Sequence, residues 1–215
     1  MMTATSNTTI GIQCGSPSRG RRQPRVSCVR APSVVLSAPD GQIDEGGVQG
    51  WLYADRRLLS RLRITVNGSA PVGLSDEVRG AAGAVFRAVV PQVGAPTNDP
   101  TFFVERRRDV GHDSLVETVT FTSAARTPTA FELAVQAAAD LSAMAEVRVG
   151  KPRTAVLPER HEGGLRWVSG DDSVVVAADP ARSMHLYTAL SLDPVGQFHQ
   201  EDLLAGDVGD RLHRL

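Results

Sequence analysis

The chain has 215 residues, 41% of them hydrophobic and 22% charged, a balance that supports a packed core and excludes collagen-like repeats, coiled coil and wholesale disorder. Its 23 basic and 24 acidic side chains give a formal net charge of -1, so there is no overall basic field to hold a polyphosphate, and a nucleic-acid partner is not expected. No stretch approaches the ~20 apolar residues of a spanning helix, and the first residues carry no apolar run that could act as a secretory signal core, so no membrane partner and a cytoplasmic setting are expected.

In chain order, residues 1–31 hold a Thr, Ser and Asn run and then Arg19, Arg21, Arg22, Arg25 and Arg30 among Gly, Ser and Pro. Nothing there can bury enough surface to order itself, which predicts a disordered tail. Cys14 and Cys28, the only cysteines, fall in it, so no disulfide framework is expected. Lys151 is the only lysine. Across residues 32–194 short apolar runs alternate with Gly, Pro and Asn punctuation at period two, which predicts an all-β domain, an antiparallel β-sandwich. Leu62, Ile64 and Val66 point one way and Arg61, Arg63 and Thr65 the other, before Asn67-Gly68 supplies the positive φ angles of a tight turn. Leu115, Val119 and Phe121 share a face with Glu117, and Thr118, Thr120 and Thr122 line the opposite one. After the Thr127-Pro128-Thr129 turn, Phe131, Leu133, Val135 and Ala137 resume the alternation, so 115–137 reads as a hairpin.

Further strands are expected at Val34 to Leu36, Gly50 to Tyr53, Val85 to Val90, Thr101 to Arg107, Arg166 to Ser169, Val174 to Ala177 and His185 to Leu192. From Phe131 to Met144 the alanines are also dense enough for a helix, and periodicity leaves both readings open. Arg56-Arg57 and Arg106-Arg107-Arg108 break the pattern and read as a solvated or partner-facing margin. Residues 195–215 read as a polar C-terminal tail.

No P-loop, dinucleotide fingerprint, nucleophile elbow or His-Glu-x-x-His occurs. His161-Glu162 and His199 near Glu201-Asp202 are the nearest approaches to metal-ligand spacing and read as surface loops, so neither metal nor cofactor is expected. Glu105, Glu117, Glu132 and Glu146 could supply a carboxylate pair, but glutamates on strands are usually cross-strand partners of arginine, and no catalytic acid or base is assigned.

The run Gly41-Gln42-Ile43-Asp44 through Gln49-Gly50-Trp51-Leu52-Tyr53-Ala54-Asp55-Arg56-Arg57-Leu58-Leu59-Ser60-Arg61, ending in Val66-Asn67-Gly68, resembles the N-terminal domain of bacterial glycogen debranching enzymes of the amylo-α-1,6-glucosidase type. A second block, Arg107-Arg108-Asp109-Val110-Gly111, Leu115-Val116-Glu117-Thr118-Val119-Thr120, then Ala139-Asp140-Leu141 with Glu146-Val147-Arg148, is similar to that family's later strands. The family's Asp-Thr-Arg stands here as Asp55-Arg56-Arg57 and its Ala-Asp-Phe as Ala139-Asp140-Leu141, and Val149 is inserted before Gly150. The resemblance implies a supersandwich-like β-sandwich, favours strand from Phe131 to Ala139, and implies an (α/α)6 barrel, in cis or in trans, that carries the hydrolytic carboxylates. Twelve helices of about 12 residues with their connections need on the order of 200 residues, which this chain does not have beside the sandwich. The expected role is a non-catalytic accessory module of an α-glucan-hydrolysing system, a truncated or split relative.

A stand-alone carbohydrate-binding protein and a self-sufficient glycosidase are the other readings. Trp51 and Tyr53, two apart on one strand, could offer flat faces to a sugar or a partner domain, as could Trp167. Asp55 and Arg57 could make a docking contact or an internal ion pair that pins a strand end. The barrel, an α-glucan and a second copy of the chain are the expected partners.

Overall fold

The computed structural model describes residues 25–93, 99–125, 130–162, 164–177, 190–192 and 197–204. Its elements in chain order are β1 (Val26–Arg30), β2 (Ser33–Ser37), β3 (Gly50–Tyr53), β4 (Arg56–Leu59), β5 (Arg61–Val66), β6 (Val72–Arg79), β7 (Gly83–Val89), β8 (Phe102–Val110), β9 (Leu115–Ser123) and β10 (Ala130–Ala138). There follow β11 (Ser142–Ala143), the helix α1 (Met144–Arg148), β12 (Glu159–His161), β13 (Gly164–Ser169), β14 (Asp172–Ala177), β15 (Leu190–Leu192) and β16 (Gln197–Leu204). The strands form antiparallel sheets in the orders β1-β2-β3-β4-β11, β15-β16-β10-β5, β6-β7-β8-β9 and β12-β13-β14.

Two apolar cores hold these sheets face to face. One gathers Cys28, Val35, Trp51 and Leu59 from the first sheet, Leu62 and Ala137 from the second, Phe86 and Val110 from the third, and Leu165, Trp167 and Val174 from the last. The other lies between the second and third sheets, where Phe102, Phe121 and Phe131 meet with ring centroids 4.8 to 5.8 Å apart. In β5 the period-two pattern reports burial, with Leu62, Ile64 and Val66 all buried, and Asn67 (φ 48°) with Gly68 (φ 74°) makes the tight turn; in β10 the buried residues are instead Phe131, Ala134 and Ala137, across a register shift between Phe131 and Leu133.

Several expectations change. The tail does not extend to residue 31, because Val26–Arg30 pairs with β2 in register Val26↔Ser37 to Arg30↔Ser33 and buries Val26 and Cys28; residues 1–24, Cys14 among them, lie outside the described part. The stretch 195–215 is not a tail throughout, since the backbone of Gln197–Leu204 pairs with β10 and with β15; residues 205–215 lie outside the described part. Residues 115–137 are not a hairpin: β9 pairs with β8 and β10 with β5 and β16. Alternation fixes which face is buried and leaves the pairing partner open. The Thr127-Pro128-Thr129 turn and residues 185–189 lie outside the described residues. The helix-or-strand segment divides, with β10 running to Ala138, then a break at Ala139-Asp140-Leu141 where Leu141 takes φ 49°, then α1.

Gly50 shows why one glycine is needed. It sits at φ 147°, and a Cβ there would lie 2.6 Å from the Leu59 carbonyl and 2.7 Å from Arg57 Cδ, so the missing side chain is the space through which Arg57 enters the interior. Gly50→Ala should cost about 2–4 kcal/mol in urea denaturation, whereas Gly46→Ala, where a Cβ meets nothing within 4 Å, should stay within about 0.5 kcal/mol. Equal effects would contradict the steric argument.

Candidate functional site

The arginine runs read from the sequence as a solvated margin turn inward. Along β8 burial alternates strictly, with Phe102, Val104, Arg106, Arg108 and Val110 on the buried side. Arg106 and Arg108 thus occupy core positions of a strand whose other side is wet. Both meet Glu117 on β9: Arg108 Nε donates to Oε1 at 2.6 Å, and Arg106 Nε donates to Oε2. Arg108 continues into the first sheet's loop region, donating from Nη1 to Ser37 Oγ and from Nη2 to the Gly41 carbonyl, both at 2.7 Å, with its guanidinium 5.0 Å from the Phe86 ring centroid. Arg106 Nη1 donates to Gln42 Oε1 at 3.1 Å. The Gln42 amide in turn imitates a strand neighbour, donating to the Ile64 carbonyl and accepting from Ile64 N–H, each at 2.9 Å.

The second buried cation is Arg57. It is 1% exposed; Nε donates to Asp140 Oδ1 at 3.2 Å, Nη2 donates to Oδ2, and Nη1 donates to the carbonyls of Gly47 and Gln49 at 3.2 and 3.3 Å. This corrects the expected Asp55–Arg57 pair, because the carboxylate comes from 83 positions away. The fork matches the planar guanidinium and leaves the rest of its donors on backbone carbonyls, which is how a buried charge is tolerated.

Of the four residues singled out for carbohydrate or domain contact, the structure buries two. Trp51 is 7% exposed, its Nε1 donating to Ser33 Oγ at 3.2 Å, and Arg57 is buried as described. Trp167, at 1% exposed, is likewise core. With so few aromatics in the chain the tryptophans are spent on packing. Tyr53 is half-buried, edge-on to His112 with ring centroids 6.4 Å apart, and Asp55 is exposed, its carbonyl accepting from Met144 N–H at 2.8 Å. Two of the strand glutamates follow the expected pairing: Glu105 faces Arg87 across strands at 3.1 Å and Glu117 faces its two arginines. Glu146 instead caps α1, accepting from Ala143 N–H at 2.8 Å. No group of three or more His, Cys, Asp or Glu side chains placed to hold a metal occurs among the described residues, and none of their helices is long and apolar enough to cross a membrane.

Electrostatics set what Glu117 can do. Burial by itself pushes its carboxyl up, but the charges and hydrogen bonds of Arg106 and Arg108 outweigh that and hold it below its ordinary value. It is therefore ionised at neutral pH and has no proton to donate as a general acid. Burial raises the Cys28 thiol above its ordinary value, with Arg108 opposing, which makes it a packing residue and not a nucleophile.

A carboxylate with a depressed pKa contributes stability that is present above its unfolded value and is lost as the pH falls through its folded one. Glu117→Gln should cost about 3–5 kcal/mol at pH 7, because two guanidinium groups are left buried without their counter-ion. The variant should also lose less stability than the parent between pH 5 and pH 2. Urea midpoints across that range check it, and parallel pH profiles for the two proteins would contradict it.

A search of curated proteins gives no match. The family described as the N-terminal domain of (some) glycogen debranching enzymes matches residues 29–200, a span that includes both arginine clusters and the four contact candidates. The chain belongs to that family of glycogen debranching enzyme N-terminal domains.

Proposed function

We propose that the chain acts as a non-catalytic module that packs against an (α/α)6 catalytic barrel of an α-glucan-hydrolysing system, the barrel being supplied by a separate chain or by sequence outside these 215 residues. The observation that carries the reading is the family match over residues 29–200, combined with where the carboxylates go. Of the four glutamates considered for a carboxylate pair, Glu117, Glu105 and Glu146 are engaged in ion pairs or capping, as is Asp140, so three of the four candidates for a glycoside-cleaving acid and base are committed to structure. A truncated or split gene and a cytoplasmic setting belong to the same proposal, as the sequence leads one to expect.

The docking side we favour is the one around Asp55. Tyr53 and Asp55 are the accessible members of the contact quartet, with Trp51 and Arg57 holding that edge from inside. Asp55 receives the first N–H of α1, and beyond that helix come Val149 and Leu157, 69% and 83% exposed. Apolar side chains this bare suit contact with a partner domain. A stand-alone carbohydrate-binding role through Trp51 and Trp167 has less support, because neither ring is available to a sugar.

Two measurements test the reading. The purified chain should release no glucose from a branched dextrin, and turnover that survives repurification would overturn the non-catalytic assignment. Sedimentation should show concentration-dependent self-association or capture of a co-expressed barrel. A Val149→Lys, Leu157→Lys variant should weaken that association at least about ten-fold, the effect expected when two apolar anchors are lost. A parent chain that stays monomeric at high concentration and ignores the barrel would contradict the docking surface.

A further inference from the structure

One polar atom in the buried network has no partner. Arg106 is 4% exposed, its Nε and Nη1 are engaged, and its Nη2 reaches no acceptor among the described residues. A buried guanidinium N–H without an acceptor is costly enough that something normally fills the space beside it. Such a space exists. A cavity of about 20 Å³ is lined by Arg106 with Asp40, Gln42, Phe86 and Val104, among others, room for one oxygen atom and no more.

A larger, open groove lies beside the cavity. Strand register places Asp76, Phe86 and Arg106 in one row across β6, β7 and β8, and Gly73, Ala88 and Val104 in another, so β6 carries the outer end of each row. There, a groove of about 420 Å³ runs between Ala38-Pro39-Asp40 and Gly73-Leu74-Ser75-Asp76. Asp40 lines both spaces. Its Oδ1 accepts from Gln42 N–H at 3.0 Å, and no ion-pair partner reaches Asp76 among the described residues. Gly73 keeps the groove open, since a Cβ there would lie 3.5 Å from Asp40 Cβ. Every residue of β6 is exposed.

The donor and acceptor pattern selects the ligand. The oxygen in the cavity must accept from Arg106 Nη2, and beside Asp40 it is best held if it also donates a proton. A hydroxyl does both. A carboxylate or phosphate oxygen would accept from Arg106 but would face the Asp40 and Asp76 carboxylates, and an ammonium cannot accept at all. Outside, Pro39 and Leu74 offer apolar surface while Asp40, Ser75 and Asp76 offer acceptors, the mixture that suits the C–H face and the hydroxyl rim of a sugar ring. We infer that this groove is a subsite for a neutral polyhydroxylated ligand, one glucosyl unit of an α-glucan, with one hydroxyl seated on Arg106 and Asp40. The glucan identity rests on the functional reading above; the requirement for a neutral polyol does not.

The test is a titration of the isotope-labelled full chain with maltotetraose, followed by amide shifts. Saturable shifts at Asp40, Gln42 and Gly73–Asp76, with half-saturation on the order of millimolar given the lack of an aromatic platform, are the expected result. Asp76→Ala, on a fully exposed strand, should weaken binding about 5- to 10-fold, and Gly73→Ala, whose added methyl meets Asp40 at ordinary contact distance, should weaken it about as much without unfolding the chain. Acetate and calcium chloride should produce no saturable shifts at these amides. Silence up to about 50 mM maltotetraose, shifts confined to other surfaces, equal binding by both variants, or a calcium response at these amides would each overturn the subsite. A water alone in the cavity gives the first of these results. Loss of the subsite would leave barrel association, measured by sedimentation, untouched, so the two proposals fail separately.

Discussion

Glu117, ionised and largely enclosed between Arg106 and Arg108, is the constraint on which the rest of the arrangement depends. Placing three charges inside a β-sandwich is tolerable only if each meets an opposite charge or a dipole. Meeting that requirement fixes where β8, β9 and the segment from Ser37 to Gln42 must lie relative to one another. Arg108 ties β9 to Ser37 and Gly41, and Arg106 ties it to Gln42, whose amide is already inserted as a neighbour of Ile64. Three sheets are thereby joined through one carboxylate. Arg57 and Asp140 do the same at the other end of the first sheet, connecting β4 to the break after β10 and holding the Gly47–Gln49 loop by its carbonyls. Apolar packing supplies the bulk of the burial, but it is indifferent to register; the forked hydrogen bonds are not.

Two of the glycines with no room for a Cβ stand beside these arginines. Gly50 leaves the space that Arg57 occupies. Gly41, at φ 80°, has its carbonyl on Arg108, and a Cβ there would lie 2.7 Å from the Phe86 ring. The segments that carry the family resemblance, Asp55-Arg56-Arg57, Ala139-Asp140-Leu141, Arg107-Arg108-Asp109 and Leu115-Val116-Glu117, hold the partners of these ion pairs. In this chain these separate stretches together specify that Arg57 meets Asp140 and Arg108 meets Glu117.

Much of this was legible in the sequence. The alternation in Leu62, Ile64 and Val66 locates a strand and its buried face because side-chain direction alternates whatever the partner, whereas in Phe131 to Ala137 it locates the strand but not the face, since Phe131, Ala134 and Ala137 are the buried residues, across a register shift between Phe131 and Leu133. Even the inward arginines left a signal: Arg106 and Arg108 share parity with Phe102, Val104 and Val110, and Glu117 shares it with Leu115, Val119 and Phe121. Taken as a triplet, Arg106-Arg107-Arg108 reads as a charged margin; taken by parity, two of its members belong to the core. What could not be read is pairing. Nothing local joins Arg57 to Asp140, or sends β9 and β10 into different sheets, because those facts are set by long-range register. The groove beside β6 is equally invisible along the chain, since Asp40, Gly73, Asp76 and Arg106 become neighbours only once the strands are aligned. Trp51 and Trp167 misdirect for the opposite reason: an aromatic has the same letter whether it faces a sugar or fills the interior.

The central role of the buried charges is tested most directly by a double-mutant cycle between Arg108→Met and Glu117→Leu, with stabilities from urea denaturation at neutral pH. If Glu117 and its arginines hold the sheets in register, Glu117→Leu leaves two guanidinium groups without their counter-ion and Arg108→Met leaves a Glu117 carboxylate oxygen and the Gly41 carbonyl without their donor, and each should cost about 3–5 kcal/mol. The double replacement should then cost less than their sum by about 2 kcal/mol or more. Additivity within about 0.5 kcal/mol, with folding otherwise intact, would show that apolar packing alone sets the arrangement and would contradict a register held by buried ion pairs.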